Sequence, residues 1–588
     1  MRFYSVGMKD FHQLRLIGLE HLLPKFLHVN ENTDDALWLI PEPFIKDVRG
    51  FEISNQLHPP MPSSSPVTQS QLPDKHDHRT PRPITKETAI RAQLSEPKPI
   101  SNFKETQLYF SPPYEFTHFN EDLHKYLYGR RLLLDELPFS LAEVYEHVRN
   151  GWVRYEPGVV KEGSTYQCQR CGNRDPAMFG QFNCFRCKTT CHYCRSCIMM
   201  GRVTTCTPLF TWQTPHNTPS SDTHHKMKWE GTLSIFQQKA SNELCETIKS
   251  YWATEKNEPD EFLMWAVCGA GKTEMLFHGI ELALNKGLRV LIATPRTDVV
   301  LELEPRIQEA FPDTDVRAFY GGVKDRFAQG ELVISTTHQL LRFYHAFDLV
   351  IIDEVDAFPY TADEKLKYAV RHARKPQSLC VYVTATPDPK MKKFAEAGRL
   401  KTAKVARRYH RHPLPVPTFQ WIGSWKKKLG AGKLPGQVIS WVKKHGEAKK
   451  QMFLFVPSVN VMNEVVEVLK EAVDFNVDGV HSADEDRRQK VMKFRDGKTQ
   501  VLVTTTILER GVTVKGVQVA VLGAEEAIFT ESALVQIAGR VGRSPDEPNG
   551  DVVYFHYGKT KEMIKAVEHI KEMNRLGEEE LEGAPVTE

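Results

Sequence analysis

Between residues 262 and 383 the chain alternates short, largely apolar runs with longer amphipathic stretches. The runs at 262–267, 289–293, 332–335, 349–352 and 379–383 have no polar face, the pattern of strands covered on both sides. Amphipathic helices such as 274–286 separate them. The alternation returns after residue 450, with strands predicted over 452–456, 479–481, 501–503, 517–522 and 552–555 and a helix over 460–472. Strands and helices in this order predict an α/β protein with two parallel sheets, in which ligands sit at the carboxyl ends of the strands. Upstream, the spacing predicts a helix over 233–251 and two short helices within 123–151, split at Pro138 with Ser140 as an N-cap. A strand-like piece lies at 36–40. From 55 to about 101 the chain is rich in Pro, Ser and Gln and poor in large apolar residues, too poor to offset the ordering entropy of a fold.

At 588 residues the chain has room for roughly four domains of ~150 residues. Charged residues make up 26% but the net charge is only +3, so any nucleic-acid surface must be local. No apolar run approaches the ~20 residues needed to span a bilayer. Residues 1–9 lack the apolar core of a signal peptide, and the chain reads as cytosolic. Of eleven cysteines, seven fall between Cys168 and Cys197; in a reducing compartment that clustering points to metal, not disulfides.

The first chemical motif is Ala266-Val267-Cys268-Gly269-Ala270-Gly271-Lys272-Thr273, where a strand stops in a glycine-rich turn and a helix begins. Such a turn leaves backbone N–H groups unpaired and pointing one way, a cradle for phosphate. Gly269 and Gly271 let the backbone close in, Lys272 would reach the β- and γ-phosphates of ATP, and the Thr273 hydroxyl would hold Mg2+. A glycine turn that merely caps a helix would explain this motif taken alone. The strand 349–352, however, runs into Asp353-Glu354-Val355-Asp356, about eighty residues on. Asp353 at the strand end can bind the same Mg2+, and Glu354 can orient and deprotonate the attacking water. Gln237, one helix ahead of the glycine turn, carries an amide able to read adenine, although a helix-start glutamine is usually just solvated.

The second half has no such turn. It carries Thr505-Thr506-x2-Glu509-Arg510-Gly511 and Gln536-x2-Gly539-Arg540-x-Gly542-Arg543. Arg540 and Arg543, three residues apart, are predicted on one side of a helix, from which they could close onto the triphosphate and spread transition-state charge. Between residues 401 and 450, thirteen Lys or Arg stand against the single acid Glu447, with Trp421, Trp425 and Trp441 interleaved. Basic runs are usually solvated faces, but cations with stacking aromatics favour single-stranded nucleic acid.

Cys168-x2-Cys171-Gly172 makes a metal knuckle, and a tetrahedral Zn2+ needs a second pair. Spacing leaves two choices, Cys184 with Cys187 or Cys194 with Cys197, and Cys191 could replace a member of either. His192 reads as a bystander. One zinc per chain is expected. The resulting division is 1–54, an N-terminal segment with no assigned role; 55–104, a disordered linker; 105–165, a small helical region; 166–210, a zinc module; 229–400, the ATP-binding lobe; 401–450, a basic inter-lobe segment; 451–560, the second lobe; and 561–588, a C-terminal helix and tail.

Together these residues resemble a superfamily 2 helicase or translocase over 233–557, with two tandem RecA-like lobes and ATP between them. The resemblance makes Gln237 the adenine reader, Lys272 and Thr273 motif I, Asp353 and Glu354 motif II, Thr384 and Thr386 motif III, and Gln536, Arg540 and Arg543 motif VI. The second box departs from the variants ending Ala-Asp or Ala-His, which loosens any inference about RNA. Closer is the similarity to the late-competence DNA-uptake ATPases of Gram-positive bacteria, the ComFA family. It is carried by the cysteine module ahead of the helicase core, by Thr294-Pro295-Arg296-Thr297-Asp298-Val299, by His412-Pro413-Leu414-Pro415-Val416-Pro417, and by Thr505-Thr506-Ile507-Leu508-Glu509-Arg510-Gly511-Val512-Thr513.

That resemblance implies Cys194 and Cys197, ahead of Gly201-Arg202, as the second knuckle, so that Cys168, Cys171, Cys194 and Cys197 hold the zinc. It further implies an ATPase peripheral to the inner face of the cell membrane that helps draw single-stranded DNA into the cytoplasm. A membrane DNA-uptake channel and a phosphoribosyltransferase-like competence protein would be its partners, with a homo-oligomer left open. Two rivals stand beside it. A primosome-type restart helicase carries its cysteines within the C-terminal part of the helicase, whereas here they precede the first lobe. A zinc-dependent nucleic-acid-binding scaffold with no working motor is opposed by the intact Lys272, Asp353, Glu354, Arg540 and Arg543.

Overall fold

Seven parallel strands form the first sheet, in the order Val316–Phe319, Leu332–Thr336, Val290–Thr294, Phe347–Asp353, Arg374–Thr384, Asp260–Ala266, Lys401–Val405. Six parallel strands form the second: Thr418–Trp421, Val552–His556, Gln518–Leu522, Met452–Phe455, Val501–Thr504, Val477–Val480. The central strands are buried along almost their whole length because helices cover both faces. These are two RecA-like lobes. The computed structural model describes residues 119–213, 224–254, 258–509 and 514–582, with one short strand pair, Phe3–Tyr4 against Ile40–Pro41. The rest of the N-terminal segment, the linker 55–104, the start of the region 105–165 and Arg510 to Thr513 lie outside the described residues.

The chain divides into two compact units, Met1–Asn217 with Arg342–Tyr344, and Thr218–Leu341 with His345–Glu588. Both lobes belong to the second unit. The helix Ile235–Ala253 enters it through a capping box, in which the Ser234 hydroxyl accepts from the Gln237 N–H and the Gln237 amide accepts from Ser234. The C-terminal helix Lys561–Glu582 buries Met563, Ala566, Ile570 and Met573 in a core that also takes in residues of both sheets.

The basic stretch 401–450 is not a segment between the lobes. Lys401–Val405 is the edge strand of the first sheet, while Thr418–Trp421 and the helices Trp425–Leu429 and Gly436–Glu447 belong to the second lobe. Two of its three tryptophans serve the core. Trp425 and Trp441 are buried, their indole N–H groups donating to Glu525 (2.7 Å) and Asp551 (3.0 Å); Trp421 is exposed.

In the first unit the helices Glu121–Leu127 and Leu141–Arg149 form as expected, the second capped by Ser140. This region is not purely helical, however. Arg131–Leu133 and Val153–Pro157 pair antiparallel with Pro208–Trp212, which joins the chain before the cysteines to the chain after them in one sheet. Between these strands lie two hairpins, Val159–Glu162 with Thr165–Cys168 and Phe179–Asn183 with Thr190–Cys194.

Candidate functional site

The glycine turn leaves the strand Asp260–Ala266 and feeds the helix Lys272–Leu284. Gly269 (φ 80°) and Gly271 (φ 72°) take left-handed backbone conformations that a side chain would strain. A Cβ at Gly271 would also lie 2.4 Å from Nε2 of Gln237. That nitrogen donates to the carbonyl of Ala270 (2.8 Å) while Oε1 accepts from Ser234 N–H (2.8 Å), so both ends of the amide are engaged within the protein and brace the turn.

A cleft of about 460 Å3 opens at this turn. Lys272, Thr273, Asp353, Glu354, Gln536 and Arg543 line it, so residues separated by up to 271 positions converge as the two lobes meet. Asp353 ends its strand and its Oδ1 accepts from the Glu354 N–H (3.0 Å). Glu354 is held at φ 59°, a left-handed conformation that costs a non-glycine residue of order 1–2 kcal/mol and recurs at functional sites. From the second lobe, Gln536 accepts from the Cys268 thiol (3.0 Å), and its Nε2 is a buried donor with no hydrogen-bond partner among the described residues. Left-handed glycines at a helix start, a lysine and a buried amide donor fit a polyphosphate; Thr273 and Asp353 offer the hard oxygens that Mg2+ takes.

The two arginines do not share a helix. The helix Glu531–Ala538 ends at Gly539, and Gly542 (φ 69°) turns the chain again, so Arg540 and Arg543 stand in the turns that follow. The break is required by space as well as by propensity: a Cβ at Gly542 would meet the Pro548 carbonyl oxygen at 2.0 Å. Arg543 lines the cleft, with Nε donating to the Gly539 carbonyl (3.1 Å). Arg540 is 1% exposed and donates to the Glu509 carbonyl (3.0 Å). Burial and the nearby Arg543 push its guanidinium down, against the pull of Glu354.

Three residues here had no role assigned from sequence. Arg408, taken only as part of the basic run, is 1% exposed, lies alongside Gly269 and donates to the Gly542 carbonyl, wedging the glycine turn against the arginine turn. Burial, with Arg543 close by, lowers its guanidinium to about 10. Asp356 and Ser532 are the others. The Asp356 carboxylate accepts from the hydroxyls of Thr384 (2.6 Å), Thr386 (2.7 Å) and Ser532 (2.6 Å). Ser532 sits on the helix leading to the arginines, so the carboxylate ties the second motif of the first lobe to the second lobe. Asp356→Asn keeps the shape but presents a donor to hydroxyls that need an acceptor. At about 1.5–3 kcal/mol for a hydrogen bond to a charged group, it should cut turnover by about 10- to 150-fold and spare ATP binding. Equal steady-state rates for the two proteins at saturating ATP would reduce the network to scaffolding.

The strand-end threonine-arginine segment also spans the lobes. Arg296 pairs with Glu509 (2.5 Å) and Asp298 with Arg487.

In the first unit the structure brings Cys168, Cys171, Cys194 and Cys197 together, all buried, with their sulfurs within 4.8 Å of one another. Sγ–Sγ separations of 3.8 Å (Cys168 to Cys197) and 3.6 Å (Cys171 to Cys194) match the ~3.8 Å edge of a tetrahedron with 2.3 Å Zn–S bonds. Arg170 and Asn173 donate to the sulfurs of Cys197 (3.5 Å) and Cys194 (3.7 Å), countering thiolate charge. The donor set therefore fits Zn2+. His192 stacks on Tyr166 and belongs to neither group of clustered cysteines. Cys184, Cys187 and Cys191 form a separate group with Cys206.

Comparison with known proteins gives three family matches along the chain: the competence protein ComFA N-terminal domain over 115–211, the type III restriction enzyme res subunit over 230–389, and the helicase conserved C-terminal domain over 436–545. The chain is 50% identical over 458 residues to competence protein ComFA of Bacillus subtilis, covering 78% of this chain and 96% of that one. It is 37% identical over 407 residues to competence protein ComFA of Streptococcus pneumoniae, covering 67% and 91%. Among solved structures, S. cerevisiae Dbp5 bound to RNA and ADP BeF3 is similar at a TM-score of 0.42 and 14% identity, covering 58% of this chain and 91% of that one.

Proposed function

Because the chain belongs to the ComFA family of competence proteins, and is thus a competence-associated helicase-type ATPase, we propose that it is the ATP-driven motor that helps draw single-stranded DNA into the cytoplasm during transformation. The observation that carries this reading is the single cleft in which Lys272, Thr273, Asp353 and Glu354 of one lobe face Gln536 and Arg543 of the other. A nucleotide held there touches both lobes, so its hydrolysis changes their relation, and a strand bound across them moves.

Each residue has a separable part. The glycine turn and Lys272 bind the triphosphate, Thr273 and Asp353 hold Mg2+, and Glu354 accepts the proton of the attacking water. Arg543 spreads charge on the transferred phosphoryl group, and Gln536 supplies its free amide donor to the same end of the nucleotide. Gln237 is the adenine reader in this scheme, trading its bond to Ala270 for one to the base. Mg2+ supplies Lewis-acid polarisation of the phosphates when bound, and Zn2+ on Cys168, Cys171, Cys194 and Cys197 shapes the first unit.

The expected place of work is the inner face of the membrane, beside a DNA channel and a phosphoribosyltransferase-like partner. Family membership is what supports this.

ATP hydrolysis with and without single-stranded DNA tests the proposal. Stimulation by DNA is expected; ATP turnover indifferent to DNA would leave an ATPase with another trigger, and no turnover at all would favour the scaffold. The contact surface has its own test. Lys426, Lys427 and Lys428 are exposed on the helix Trp425–Leu429, although Lys426 also pairs with Glu526 (2.5 Å). Changing all three to Ala should weaken single-strand binding and reduce the magnitude of its log–log salt slope by about 2, at ~0.7 per phosphate contact on single strands. An unchanged slope returns this helix to an ordinary solvated face.

A further inference from the structure

We propose that the cysteines left over from the first zinc site, Cys184, Cys187 and Cys191, together with Cys206, form a second tetrathiolate Zn2+ site in the same small unit. All four are buried and their sulfurs lie within 4.8 Å of one another. Cys187 and Cys191 approach to 3.3 Å and Cys191 and Cys206 to 3.2 Å, so widening each pair by about half an ångström opens them to the ~3.8 Å edge of a zinc tetrahedron. No disulfide joins any of them.

The backbone supports a metal more strongly than the distances do. In the first site, Gly172 N–H donates to the Cys168 carbonyl (2.8 Å), Cys168 N–H donates to Asn173 (3.0 Å), and Gly172 has φ 72°. The turn at Cys184 repeats each feature. Lys188 N–H donates to the Cys184 carbonyl (2.8 Å), Cys184 N–H donates to Thr189 (2.9 Å), and Lys188 has φ 55°. A glycine takes that conformation freely; a lysine does so at a cost of about 1–2 kcal/mol, which calls for something that holds the turn. Four thiolates gathered on one ion would hold it.

The remaining ligands are as firmly placed. Cys191 lies on the strand Thr190–Cys194, paired to Phe182. Cys206 is fixed by its N–H donating to the Thr204 hydroxyl (3.0 Å), while Thr205 N–H donates to the His192 carbonyl (3.0 Å). The Thr189 hydroxyl stands 3.2 Å from Cys187 Sγ, placed to donate to a thiolate. Ordinary apolar packing does not account for the group, because among the described residues only the partly buried Phe182 packs against these four small side chains.

The two ligand sets interleave along the chain. Cys168 and Cys171 serve the first ion, Cys184, Cys187 and Cys191 the second, Cys194 and Cys197 the first again, and Cys206 the second. The strand Thr190–Cys194 carries a ligand for each, so neither site closes without fixing the other's frame. The two hairpins that carry these cysteines bury little beside the thiols themselves and gain rigidity from such crossed metal links.

Zinc stoichiometry of the full chain, purified under reducing conditions, tests this by elemental analysis. About two zinc ions per chain are expected, and one would overturn the proposal. Cys206→Ser should lower the content by at least one ion, to one if the first site survives alone or to none if the crossed frame collapses; content unchanged from the parent would overturn it. Cys206→His, which keeps a zinc ligand, should retain two, which separates ligand loss from misfolding. In the parent chain, thiol alkylation without reduction followed by mass mapping should find Cys191 and Cys206 as free thiols once zinc is removed. A Cys191–Cys206 disulfide there would overturn the metal assignment in favour of a redox pair.

Discussion

Replacing Glu354 by glutamine should leave ATP bound and cut its hydrolysis by about 100-fold or more, the range for loss of a general base. Glutamine keeps the length and the hydrogen-bonding reach of the side chain, and at φ 59° the backbone strain is the same for both residues, so the substitution isolates proton acceptance. Lys272→Ala should fail one step earlier, at nucleotide binding, because it removes the phosphate contact and not the base. Equilibrium binding of a fluorescent ATP analogue beside steady-state phosphate release distinguishes the two. Glu354→Gln hydrolysing at the parent rate, with DNA still stimulating it, would make the carboxylate pair structural and overturn Glu354 as the base.

Such a substitution could be designed from sequence alone, because the features that place Glu354 are local. A strand buried on both faces is a continuous apolar run, and its carboxyl end is the first polar residue after it; Asp353 and Glu354 follow the run 349–352 directly. The glycine turn is legible for the same reason. What escaped was whatever depends on neighbours distant in sequence. The three lobe strands passed over, Val316–Phe319, Lys401–Val405 and Thr418–Trp421, all lie at sheet edges, where half-exposed positions break up the apolar run.

Tryptophan is equally ambiguous. Trp421, Trp425 and Trp441 look alike in a basic stretch, yet the last two fill the core of the second lobe. Cys206 has no C-x2-C partner and stands nine residues beyond Cys197, so spacing gave no reason to include it, although three unassigned thiols upstream were a sign that a fourth was wanted. Asp356 was visible as a carboxylate but its work was not, since Ser532 lies 176 residues away.

The arginine pair shows the same limit and carries the other large expectation. Read by helical spacing, Arg540 and Arg543 are equivalent; the glycines on either side end the helix and send them to different places. Arg543 lines the cleft, whereas Arg540 is buried and bonded to the backbone of Glu509. Arg543→Ala should therefore bind ATP through the first lobe and melt near the parent temperature while losing about a thousandfold in turnover, the low end for removal of an arginine that stabilises phosphoryl transfer. Arg543→Lys should not restore it, since a point charge does not reproduce a planar fork at the phosphate. Arg540→Ala should act first on stability: it empties a buried site as large as a guanidinium and removes a charge-assisted hydrogen bond, a loss of about 2–4 kcal/mol visible as a lowered Tm. Turnover and thermal melting measured on both variants decide between these roles. If Arg540→Ala kept the parent Tm and lost as much turnover as Arg543→Ala, both arginines would act on the phosphates, and the burial of Arg540 would mark the closed state of the cleft instead of a structural post.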